Sequence, residues 1–217
     1  MVNSSLHNDL RSAHDHMIYL GGLVTRFSRV ASAPRMPDGT RESDVEHSYH
    51  LALSATELAA TYFPELDTGL IAQFSMVHDL PEVYTGDVWT FGISDEDRAV
   101  KEGAEKVATE RLMKELPPYT AKLLKRYEAQ NEPEALFVRF IDKMLLAVIN
   151  YWAGSASTFI EDYAAHDRKQ LHERTQAWVN ELKKRFPEYP FLHELLEKLD
   201  KSSEEAVFSK SSPEVKQ

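Results

Sequence analysis

Four ionisable side chains interrupt an otherwise apolar stretch, Met76-Val77-His78-Asp79-Leu80-Pro81-Glu82-Val83-Tyr84-Thr85-Gly86-Asp87. Charge in such company is costly unless something binds it. On a helix His78 and Glu82 (i, i+4) and Asp79 and Glu82 (i, i+3) are neighbours, with Cβ atoms roughly 5–6 Å apart, so the three can surround one point. The chain's other His-Asp dipeptides have different flanks. His166-Asp167 precedes Arg168-Lys169-Gln170, and His14-Asp15 falls on the polar side of a first helix. Only His78-Asp79 follows an apolar run, Leu70 to Val77. A metal ion is the simplest object that would stabilise this cluster.

One helical turn supplies too few ligands, and two further segments can add them. Ser43 and Glu46 form an S-x-x-E capping-box pattern, which starts a helix and puts His47 in its first turns. Asp142 is embedded in the apolar run Ala135 to Leu146, where a carboxylate is rarely tolerated without a partner. His47, His78, Asp79 and Asp142 would offer two imidazoles and two carboxylates to one divalent metal. That donor set suits Mn, Fe, Co, Ni or Zn better than Ca, with Mg also admitted, and no cysteine is present to specify zinc. The competing reading pairs Asp142 with Arg139 on the same helix.

The ordered series Arg26-Phe27, Glu46-His47-Ser48, His78-Asp79-x-x-Glu82, Thr85-Gly86-Asp87, Tyr127-Glu128-Ala129-Gln130 and Asp142-Lys143 resembles the HD-domain superfamily of metal-dependent phosphohydrolases. Within it the series is most similar to the 5′-deoxyribonucleotidase branch, which removes phosphate from deoxynucleoside 5′-monophosphates. The likeness spans about residues 10 to 155. One departure is visible: bacterial members carry Arg-Trp where this chain has Arg26-Phe27. The resemblance implies an all-α, single-domain HD helical bundle with one divalent metal site between helices, and a homodimer. Its expected substrate is a small nucleotide.

Roles follow from the chemistry of each residue type. The metal would lower the pKa of a bound water to give a nucleophile near neutral pH. Glu82 is the candidate to orient or deprotonate that water. Asp87 would hold the water, protonate the leaving oxygen or anchor the sugar. Arg26 is the candidate phosphate clamp, because guanidinium donors match phosphate geometry; as a plain alternative it is a helix C-terminal cation. Phe27 would pack against base or sugar. Lys143 neighbours a ligand but projects about 100° away on the helix, so it contacts substrate, supports Asp142 or meets a dimer surface. Trp89 and Phe91 read as lid or core, and Tyr151-Trp152 as core or dimer interface. A triphosphate-releasing or signalling-nucleotide hydrolase would use the same ligands with extra cations, for which Arg26, Arg29, Arg35, Arg41 and Lys143 are the visible candidates. A catalytically inert HD regulatory module would predict lost ligands or a lost Glu82, and all are present. A di-iron bundle would want Glu-x-x-His motifs, which are not found.

The elements that must position these residues are helical almost throughout. Apolar spacing gives helices at about 5–24, 44–63, 67 to 82 or 84, from 94 to just before Pro117, 120–129, 133–152, 157–186 and 190–200, with no strand alternation. Asp67 is a plausible N-cap, and Pro81 should kink or stop its helix beside the cluster. Val100, Ala104, Val107 and Leu112 are expected on one face. The domain is placed at 1–200, with a loosely held polar tail over 201–217. At 217 residues the chain can form one sizeable core. Net charge of −10 argues against a nucleic-acid polymer as partner. No membrane-spanning run and no secretory signal are seen, so cytoplasm is the expected location.

Overall fold

Ser43 caps a helix as its type and spacing require. Its Oγ accepts from Glu46 N at 3.3 Å, and its own N–H donates to Glu46 Oε2 at 2.8 Å, completing the capping box. Asp67 caps the next helix by accepting from Leu70 N at 3.0 Å. These local signals set out the frame of a computed structural model that describes residues 4–35, 38–87, 95–153, 163 and 165–209.

In chain order the described elements are α1 (Ser4–Phe27), β1 (Ala31–Arg35), β2 (Arg41–Ser43), α2 (Asp44–Tyr62), α3 (Thr68–Val77), α4 (Glu82–Thr85), α5 (Asp95–Glu115), α6 (Pro118–Ala129), α7 (Pro133–Ala153), α8 (Arg168–Arg185) and α9 (Pro190–Ser209). The protein is all-α apart from the small antiparallel β1–β2 pair, in which Ala31 faces Ser43. The sequence reading missed those strands: Pro34 sits in one, and the other is three residues long, too short to show a period of two.

The core lies around α7, whose Phe137, Val138, Phe140, Ile141, Met144 and Leu145 are all at most 2 % exposed. Helices α2, α3 and α9 pack against it. Asp142 therefore projects from the most deeply enclosed helix, which is why its charge demands a partner. Pro81 acts as expected. Helix α3 ends at Val77, and the chain turns through i→i+3 bonds, Leu80 N to Val77 O and Glu82 N to Asp79 O, into the single turn of α4. Gly86 closes α4 at φ +70°, a conformation that favours glycine, and donates its N–H to Glu82 O at 2.8 Å.

Two expectations are corrected. Val100 and Val107 are 73 % and 68 % exposed, whereas Leu112 is fully buried. At 100° per residue Leu112 lies about 120° around α5 from Val100, so the anticipated single face divides in two. The polar tail does not begin at residue 201, because α9 runs on to Ser209 with Ser203 and Val207 each 1 % exposed; residues 210–217 lie outside the described part. Of the two alternatives for Tyr151 and Trp152, core packing is excluded, since both are exposed, and a dimer interface is left. Trp89 and Phe91 also lie outside the described residues. No described helix is long and apolar enough to cross a membrane.

Candidate metal centre

The first turns of α2, the turn after α3 and the middle of α7 bring His47, His78, Asp79 and Asp142 together. One potential ligand atom from each lies within 4.8 Å of the other three. Two bonds of roughly 2.0–2.2 Å to one ion span at most about 4.4 Å, so a contraction of a few tenths of an ångström closes the cage. The imidazoles of His47 and His78 stand 5.4 Å apart between ring centroids.

His78 carries the clearest signature of a ligand. Its Nδ1 donates to the Ser75 carbonyl at 2.9 Å, and since a carbonyl only accepts, the ring proton is held there. Nε2 is thereby turned toward the cluster. It is buried, makes no hydrogen bond, and yet lies 2.7 Å from Asp79 Oδ2 and 3.9 Å from Asp142 Oδ1. A nitrogen this close to two carboxylates shares a positive charge with them, which a proton or a metal ion can supply. Fixing the tautomer through the distal nitrogen is the usual support for a metal-binding histidine.

His47 is held in the same manner. Its Nε2 faces Asp142 Oδ1 at 3.0 Å, and its Nδ1 faces Glu42 Oε2 at 3.3 Å. Burial disfavours a charged imidazole, but hydrogen bonds to Asp142 and Glu42 and the nearby carboxylates outweigh it, so His47 holds its proton well above the usual histidine range. The charges that hold that proton would equally hold a cation. Burial works against ionised Glu42 too, but hydrogen bonds from His47 and His50 bring its carboxyl down to about 2. Glu42 thus orients His47 from behind as a carboxylate. Asp142 stays well below the ordinary carboxylate range despite burial, through Lys143 and the two histidines. The donor set and its supports fit a divalent metal.

Asp142 does not pair with Arg139. It meets His47 and, at 2.8 Å, Lys143 Nζ, while the Arg139 guanidinium lies 5.7 Å from the Tyr127 ring centroid. Glu82, 8 % exposed, lines the same cavity of about 200 Å³ as His78, Asp79 and Asp142. Burial, then the charges of Asp79, Asp87 and Asp44, push it up to about 11. Asp87 is brought close enough for its charge to act on Glu82 and on Asp44. Asp44 is 2 % exposed and raised to about 7 by burial and by Asp79 and Asp87.

Lys143 lines the cavity as the sequence reading allowed. Phe27 does not reach a substrate: it is 3 % exposed in the main core, where both ring faces are covered, because α1 turns that side of its last turn inward. Arg26 is exposed and is not among the residues lining the cavity; its guanidinium sits 5.6 Å from the Tyr84 ring. The cations that do line it include Lys101, Arg139 and Arg185. These were missed, as were Glu42 and Asp44. The one available signal for Glu42 and Asp44 was their position, flanking an N-cap just before a candidate ligand histidine.

Comparison with known proteins places this arrangement among others. Residues 29–189 match the HD domain family. A search of curated proteins finds no match. Among solved structures, a protein described as a predicted metal-dependent phosphohydrolase from Magnetospirillum magnetotacticum MS-1 is similar at 21 % identity and TM-score 0.63, over 91 % of this chain and 99 % of that one. The PH0347 protein of Pyrococcus horikoshii OT3 is similar at 22 % identity and TM-score 0.55, over 83 % and 96 %. A conserved hypothetical protein of Pyrococcus furiosus is similar at 24 % identity and TM-score 0.56, over 85 % and 99 %. At these identities the likeness is one of fold.

Proposed function

This chain belongs to the HD domain family, and from that premise we propose that it is a metal-dependent phosphohydrolase, specifically a 5′-nucleotidase acting on deoxynucleoside 5′-monophosphates. The observation that carries the reading is the convergence of His47, His78, Asp79 and Asp142, with the buried Nε2 of His78 facing two carboxylates one turn from a buried glutamate. His47, His78, Asp79 and Asp142 would hold one divalent transition metal. When bound, such an ion acidifies water and offsets charge on phosphoryl oxygens.

The chain's own residues supply the rest. Glu82 lines the cavity beside Asp79; a cation held there would offset the neighbouring carboxylates that keep it protonated, so that as a carboxylate it takes the proton of the attacking water. The water oxygen bonds to phosphorus, the P–O bond to the sugar breaks, and Asp87 returns a proton to the departing 5′-oxygen. Lys143, beside Asp142, meets the phosphate, with Lys101 and Arg139 lining the same space. A cavity of about 200 Å³ suits one phosphoryl group and a water. Exposed Leu10, Met17 and Val24, seven residues apart along α1, support pairing of two copies into a homodimer.

A second reading, hydrolysis of a deoxynucleoside triphosphate or a signalling nucleotide, is favoured by one observation. Lys101, Arg139, Lys143 and Arg185 together line the cavity, three of them cations that the sequence reading had not placed there. A release panel over nucleoside mono-, di- and triphosphates, ribo and deoxy, with Mn, Co and Mg separates the two. Free phosphate from deoxynucleoside monophosphates alone supports the first. Tripolyphosphate or pyrophosphate as product supports the second, and no turnover with any metal leaves a non-catalytic HD module.

A further inference from the structure

The cavity at the cluster, about 200 Å³, falls below the roughly 300–1,000 Å³ of sites that enclose a whole small-molecule ligand. It holds the reacting phosphoryl group, so the remainder of a nucleotide must leave through its mouth. Lys101 stands at that mouth, because its side chain lines both this cavity and a second one of about 900 Å³. Helix α4 joins the two: Glu82 faces the first, and Tyr84, two residues on, lines the second.

The wall opposite Tyr84 is α5. Val100, Ala104 and Val107 form an apolar strip there, and the two valines are 73 % and 68 % exposed. Arg111, on the same helix, lays its guanidinium 4.0 Å from the Tyr84 ring centroid. That pair is braced: the Tyr84 hydroxyl and Arg111 Nε both donate to Glu115, the latter at 3.0 Å. An apolar strip facing a fixed aromatic–guanidinium stack matches a flat heterocycle with two π faces and a polar edge.

We infer that the groove between α4 and α5 binds the nucleoside of the substrate, its base against Val100, Ala104 and Val107 beside the Tyr84–Arg111 stack, while its 5′-phosphate passes Lys101 to the metal cluster. This rests on the phosphohydrolase reading and deepens it by assigning the leaving group.

Val107→Glu and, at the other end of the groove, Val100→Glu test the assignment; both positions are exposed, so folding is expected to survive. The probes are a deoxynucleoside 5′-monophosphate and deoxyribose 5-phosphate, which has the same sugar and phosphate but no base. Losing the burial of the base against one valine corresponds to roughly a tenfold rise in KM for the nucleotide. Activity on deoxyribose 5-phosphate should be unchanged, and equilibrium dialysis should show weaker binding of the free deoxynucleoside to both variants. An unaltered nucleotide KM in both variants overturns the groove while leaving the hydrolase reading intact. Equal losses on the two substrates, accompanied by a change from dimer to monomer in sedimentation, overturn it in favour of a contact between copies. No phosphate release from either substrate by the unmodified protein overturns the functional reading and this one with it.

Discussion

Replacing Glu42 with Gln should weaken both the metal site and the fold, with a pH dependence set by one carboxylate. Glu42 is 3 % exposed, with Oε2 3.3 Å from His47 Nδ1 and Oε1 3.9 Å from His50 Nδ1. Its carboxyl falls from the ordinary 4.5 to about 2. At 1.36 kcal/mol per pH unit, that difference of about 2.5 corresponds to about 3 kcal/mol favouring the ionised form in the folded, metal-free protein. Because the folded value is depressed, this stability is present above pH 4.5 and is lost as pH falls toward 2. Gln keeps the shape and one acceptor but not the charge. Urea melts should therefore show a deficit for Glu42→Gln of order 3 kcal/mol near pH 7, shrinking as pH drops below 4.5. Manganese titration calorimetry at pH 7 should show affinity reduced about 10- to 100-fold, the usual effect of removing the carboxylate behind a ligating histidine. Unchanged metal affinity together with a pH-independent deficit would refute the reasoning that Glu42 orients and charges the site through His47.

Other consequences are more quickly stated. Glu82→Gln should bind metal as the unmodified protein does, by calorimetry, yet lose about 10²- to 10⁴-fold in kcat, because an amide cannot take a proton from water; normal turnover would remove Glu82 from the chemistry. Asp200, 4 % exposed between α8 and α9, accepts from Gln176 Nε2 at 2.9 Å and Thr175 Oγ1 at 3.3 Å, and burial raises its pKa. A raised acid favours the neutral form on folding, so the protein loses stability as pH rises above the ordinary 3.8. Asp200→Asn should accordingly melt higher than the unmodified protein at pH 7, with the gap closing below pH 3.8; a gap constant with pH would contradict this.

What could be read in the sequence was what is local. The Ser43–Glu46 capping box, the Asp67 cap and the break at Pro81 are each decided within four residues, and each forms as expected. Asp142 was legible because a carboxylate inside an apolar helix has so few stable explanations. The residues that were misread depend on what packs against them from elsewhere. Phe27 looked like a nucleotide platform next to Arg26, but the orientation of α1 buries it. Val100 and Val107 were expected on one face with Leu112, yet Leu112 is buried and no described element covers the two valines. Lys101, Arg139 and Arg185 belong to three helices, α5, α7 and α8, and only the tertiary fold brings them to one cavity. Glu42 lies in a three-residue strand too short to reveal which side is inward.

The central claim is that His47, His78, Asp79 and Asp142 act as one cage. Elemental analysis of protein loaded with Mn²⁺ and dialysed tests it most directly, alongside Asp79→Ala and Asp142→Asn variants shown by circular dichroism to be folded. The account predicts one metal ion per chain in the unmodified protein and none in either variant. An unmodified protein that retains no metal, or folded variants that retain a full equivalent, would contradict it.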